Sequence, residues 1–160
     1  MISNTRGFGR SVMLAAVVGL VLTFSQAKAA EVRENPAEKQ RQLIAVLQSD
    51  AAPGQKAITC KQLAIYGTDE AVPALAPLLA DERLASWARI ALEAIPGPAA
   101  DEALRQAMDK VQGKLLVGVI NSIGVRRDVK AVKGLISKLE TADAEVASAA
   151  AVALGQIGGA

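Results

Sequence analysis

The stretch Val146-Ala-Ser-Ala-Ala-Ala-Val-Ala-Leu-Gly-Gln-Ile-Gly158 decides the fold class. Its residues Val146, Ala149, Ala150, Ala153, Leu154 and Ile157 recur at offsets of three and four, which mark one face of an α-helix. Most of that face is small, so a neighbouring helix can approach closely. Three earlier segments end in the same way: Gln62-Leu63-Ala64-Ile65-Tyr66-Gly67, Ala91-Leu92-Glu93-Ala94-Ile95-Pro96 and Val119-Ile120-Asn121-Ser122-Ile123-Gly124. Leu63, Leu92, Ile120 and Leu154 align, at spacings of 29, 28 and 34 residues, and Tyr66, Ile95, Ile123 and Ile157 follow three residues on. Each segment then stops, at Gly in three cases and at Pro96-Gly97 in the other. Gly is expected there because it tolerates the left-handed backbone that ends many helices.

A shorter apolar block precedes each of these segments: Leu43 to Leu47, Leu75 to Leu79, Leu104 to Met108 and Leu135 to Leu139. Thr68-Asp69-Glu70, Asp101-Glu102 and Asp128 stand before three of the blocks, where they are expected to cap free helix amides. Pro73 suits the first turn of its helix. Pro77 removes a backbone bond and is expected to bend or shorten that helix. The reading is therefore all-α: paired short helices repeated about four times, with units near 43–67, 68–97, 98–124 and 125–158. Only 2% of residues are aromatic, and runs of alternating β-branched residues that would mark strands are missing.

Val146 to Gly158, and the hairpin pattern Val72-Pro73-Ala74-Leu75, Leu78-Leu79, Asp81 and Ala91-Leu92, resemble the short bacterial HEAT-like repeats also found in phycobilin lyase-related proteins. The likeness covers roughly residues 43–158. It weakens in the first unit and at Gly113-Lys114-Leu115-Leu116-Val117-Gly118. The resemblance implies a right-handed α-α superhelix, a HEAT-type solenoid whose second helices line a concave, partner-binding side. On that side it points to Lys61, Arg89, Lys114 and Asn121 as partner-binding candidates. Repeats of this kind also occur beside haem-bearing dehydrogenase domains, so the alternatives are the non-catalytic part of a larger exported enzyme and a lyase-like protein.

Ahead of the repeats, Arg6 and Arg10 precede a 13-residue apolar run, Val12 to Phe24, and then Ala27-Lys28-Ala29. A basic start, a short apolar centre and a small-x-small end make a secretory signal peptide over residues 1–29. The apolar run is shorter than the roughly 20 residues that a spanning helix needs. Residues 30–42 read as a polar tether. The expected location is therefore periplasmic or secreted, with membrane contact only through the signal segment if it stays uncleaved. The whole chain is formally +2, but Arg6, Arg10 and Lys28 belong to the signal; of 18 basic residues 15 remain, against 16 acids, net −1. That balance gives no footing for nucleic-acid binding, which needs clustered positive charge.

The chain has no His and one Cys, Cys60. This excludes an internal disulfide, a His-containing zinc site, a C-x-x-C-H haem motif and a Ser-His-Asp or Cys-His catalytic pair. Cys60 reads as a small buried residue. Trp87 stands at an Ala-like place in a buried stripe and reads as packing between repeats. Arg126-Arg127 reads as a solvated turn. No cofactor is expected, and the expected role is a non-enzymatic scaffold for a protein or peptide. The last helix reads as uncapped, because a terminal repeat normally carries a polar outer face. Its open side suits self-association or a continuing array.

Overall fold

The computed structural model describes residues 35–158. The expected signal peptide and the first part of the tether lie outside the described residues. Eight α-helices are present, and no strand occurs among the described residues. They are α1 (Pro36–Gln48), α2 (Pro53–Tyr66), α3 (Val72–Leu75), α4 (Ala85–Ala94), α5 (Pro98–Met108), α6 (Gly113–Arg126), α7 (Val132–Leu139) and α8 (Ala144–Gly158). Residues 36–42, expected as tether, are the opening turns of α1. Pro36 is a good first helical residue, Glu38 sits in the positive first turn, and Gln40 is buried.

The helices pair in order: α1 with α2, α3 with α4, α5 with α6, and α7 with α8. The second helices also pack in sequence, α2 on α4, α4 on α6 and α6 on α8. Leu63, Leu92, Ile120 and Ile123 from this row are fully buried, as are Leu75, Leu104 and Leu135 from the first helices. The stripe that announced the fold also faces inward: Val146, Ala149, Ala150, Ala153 and Ile157 are buried against α6 and α7. Tyr66, aligned with the buried Ile95, Ile123 and Ile157, is instead partly exposed. Pro77 has the expected effect. Helix α3 lasts one turn and continues only as a 3-10 segment, Ala76–Ala80.

The expected stops are met at Gly67 and before Pro96, but not at Gly124, and Gly67 does not take the left-handed backbone. Helix α6 runs two residues past Gly124, and α8 includes Gly158. Gly67 ends α2 in an extended conformation, with φ −74° and ψ 142°. The left-handed cap of α6 is Arg127, at φ 53°. Its N–H reaches the carbonyl of Gly124, and the N–H of Asp128 reaches that of Ile123, which is the Schellman arrangement. Gly124 is instead a point of close approach. A Cβ there would stand 2.9 Å from the Ala153 Cα, so any side chain would push α8 away.

The acids at helix starts mostly do not cap. Asp128 does, accepting from the N–H of Lys130 at 3.0 Å. Glu70 accepts from the Gln40 side chain at 3.0 Å, Asp101 holds Arg126, and Glu102 holds Arg105. Asp143 caps α8 through the N–H groups of Glu145 and Val146. Gly124→Ala is expected to destabilise the protein by about 1–3 kcal/mol, the usual effect of overfilling a packed contact. Urea unfolding monitored by circular dichroism checks this; an unchanged midpoint would mean that α8 shifts freely.

Candidate interaction surface

Helices α4 and α6 are flanked on both sides by second helices and backed by first helices. Each therefore has one open side. On α4 the exposed residues are Ser86, Ile90 and Ala94, four apart and on one helical face; on α6 they include Lys114, Asn121 and Val125. Helix α2 adds Ile58, Lys61 and Ile65, and α8 adds Ser148 and Val152. Large aliphatic side chains are thus left in solvent along the whole row: Ile58 at 60%, Ile65 at 76%, Ile90 at 45%, Val125 at 57% and Val152 at 55% exposure. Isolated exposed aliphatics are ordinary. Val129, Ile136 and Leu139 of the α7 segment are exposed too, but only the second-helix row has such a residue on each of its helices, as a partner surface would present.

The four residues expected on this surface are divided by the structure. Lys114 and Asn121 are exposed, Lys114 at the start of α6 and Asn121 beside a shallow groove against α8 lined also by Val117, Ser148 and Val152. Lys61 is exposed, but its ammonium lies 5.1 Å from the centre of the Trp87 ring, a cation–π contact between α2 and α4. Trp87 itself is half-buried and packs against the core. Arg89 is taken up within the fold. Its guanidinium donates to the Gly118 carbonyl at 3.1 Å and to Ser122 Oγ at 3.3 Å, and lies 3.9 Å from Glu93. The buried Ser122 hydroxyl in turn donates to Glu93 at 2.6 Å. Gly118 makes this possible, because a Cβ there would stand 2.8 Å from Arg89 Nε. The irregular Gly113–Gly118 stretch is therefore the seat for Arg89.

Arg126 is not a solvated turn residue. Its side chain is only 9% exposed and pairs with Asp101. Nη1 is shared among the carbonyls of Leu92 at 2.7 Å, Glu93 at 3.2 Å and Ile95 at 2.6 Å, and Nη2 reaches that of Gly97 at 2.9 Å. One guanidinium thus satisfies the orphan carbonyls where α4 ends and ties that end to α5 and α6. The available hint was a cation in the last turn of a helix; the long reach to a different helix end leaves no trace in local spacing.

Cys60 is fully buried on α2, and burial pushes its thiol up from about 9.0 to about 11. The thiolate is the nucleophile, so this thiol serves as packing. No group of three or more Cys, Asp or Glu side chains is placed to hold a metal ion among the described residues. No helix among them is long and apolar enough to cross a membrane. Neither a family model nor a curated protein matches the chain.

Two outcomes follow from these contacts. Arg126→Met keeps the length of the side chain but strands buried carbonyls and Asp101, and is expected to cost about 3 kcal/mol in denaturant unfolding; a change below about 0.5 kcal/mol would mean that water replaces the guanidinium. At pH 8 Cys60 is expected to resist Ellman's reagent until denaturant is added. Because its folded pKa is raised, the stability linked to it is complete below pH 9 and is lost as pH rises toward about 11. Cys60→Ala removes that alkaline decline, which thermal melts across this range would register.

Proposed function

We propose that the four hairpins are HEAT-type repeats wound as a right-handed superhelix, and that the protein is an exported, non-enzymatic scaffold. It binds a protein or peptide on the open side of its second helices. The ordered packing of α2, α4, α6 and α8 supports the repeat reading, since stacked units that contact only their neighbours define a solenoid. The observation that carries the binding reading is the exposed aliphatic series Ile58, Ile65, Ile90, Val125 and Val152 on those four helices. The partner surface differs from the one drawn from sequence. Arg89 holds the repeats together, and the aliphatic residues supply the contact area. Export rests on the sequence pattern of residues 1–29.

A photoreactive amino acid at position 90, compared with one at the exposed Gln106 of α5, tests the binding face in intact cells. A discrete adduct from position 90 and none from 106 is expected, in the envelope fraction, on a chain that begins at Ala30. Equal labelling from both positions would reject the face. A chain that keeps Met1 in the cytoplasm would reject export.

A further inference from the structure

We infer that the open side of the second-helix row takes an acidic peptide segment of a partner protein, one that also carries aliphatic side chains; this rests on the interaction reading above. The argument is the distribution of charge. Helices α2 and α6 contain no Asp or Glu. The single acid of α4, Glu93, is held by Arg89 and Ser122. The remaining acid of the row, Glu145, lies in the first turn of α8, at one end of it. Lys61 and Lys114 are exposed on the row, and neither has an ion pair among the described residues. Neither has a carboxylate three or four residues away on its own helix.

The first helices are built differently. In α1 Arg41 pairs with Glu38 at 3.1 Å and in α5 Arg105 pairs with Glu102 at 2.6 Å, although α7 carries Lys133 and Lys138 without an acid on the same helix. On the row, Lys61 and Lys114 stand without an ion pair among the described residues beside exposed aliphatic side chains, with Glu82 lining the pocket at Lys114. Complementary potential across an interface is what selects a partner and excludes others. The Trp87 ring beside the Lys61 ammonium also holds one of the two cations in place, which lowers the entropy lost on binding.

Geometry limits the ligand. Helices α2 and α6 flank α4, so at about 8–10 Å between neighbouring axes Lys61 and Lys114 lie on helices roughly 16–20 Å apart. An extended segment of about six residues covers that span. Ile90 on α4 falls between the two lysine-bearing helices, and a groove between α6 and α8 follows beyond α6, lined by Val117, Val152, Asn121 and Ser148 with Glu145 at its α8 end. A membrane surface fits less well, because interfacial binding favours exposed Trp and Phe beside the cations, and the aromatic residue most exposed among the described residues is Tyr66.

Selection of random dodecapeptides by display on the full 160-residue chain tests the inference. Enriched peptides are then measured by fluorescence anisotropy against the double variant Lys61→Glu/Lys114→Glu and against Ile90→Asp. Circular dichroism melts confirm that both variants fold. Peptides rich in Asp or Glu together with Val, Ile or Leu are expected, with binding weakened at least about 10-fold in each variant and further by salt. Neutral or basic peptides that lose binding only in Ile90→Asp would overturn the charge inference and leave the interaction face standing. Peptides indifferent to both variants, or no enrichment, would overturn both. Lysine-dependent binding to phosphatidylglycerol vesicles without peptide enrichment would assign the face to a membrane and overturn the inference.

Discussion

Close approach between successive second helices is the constraint on which the other features depend. Gly124 against Ala153 leaves no room for a side chain between α6 and α8, and the small residues Ala88, Ala91, Ala149 and Ala150 keep the buried faces of α4 and α8 low. Two results follow. Bulky aliphatics concentrate between the first and second helices, as Leu75, Leu104 and Leu135 do. Of the exposed ones, Ile90 and Val152 sit on the open side of the second-helix row, while Val129, Ile136 and Leu139 lie on the segment of α7. The face that carries the proposed binding is thus the complement of a tight contact elsewhere.

Polar joints then fix how each hairpin sits on the next, and each joint is different. Gln40 bridges the first to the second, donating to Glu70 and accepting from the N–H of Thr68. Arg89 with Glu93 and Ser122, and Arg126 with the carbonyls that end α4, join the second to the third. Arg105 pairs with Asp128 across the third and fourth. Apolar contact tolerates sliding, whereas hydrogen bonds among buried groups do not, because a slipped register leaves them unsatisfied. Dissimilar joints also make the hairpins non-interchangeable within the stack.

The helical fold was legible because it depends on periodicity, and periodicity survives in a single sequence. The stripe from Val146 to Ile157 was read correctly, and so was the shortening caused by Pro77. What was not legible depends on distance. Gly124 looks like a helix terminator in sequence and is a contact residue in space. Arg126 looks solvated because it stands at an expected inter-helix turn, yet its hydrogen bonds run to residues about thirty positions away. Of the four expected partner residues, Lys61, Lys114 and Asn121 are exposed, but the alignment could not tell which cation was held by the fold. Arg89 is held because Glu93, one turn on, and Ser122, on the next helix, converge on it. Lys114 shares a pocket with Glu82 but makes no ion pair among the described residues.

The one-turn helix α3 bears on the order in which the chain folds. Four residues followed by a 3-10 segment cannot nucleate a helix in isolation, since the first turn fixes several dihedrals for one hydrogen bond. Leu75 and Leu79 on this segment are nonetheless fully buried. Their conformation is imposed by α4 and α5 after those helices have formed. The second hairpin is thus a follower rather than a seed. Folding is expected to begin at the longer helices α6 and α8, which make an extensive contact with each other, rather than at this hairpin.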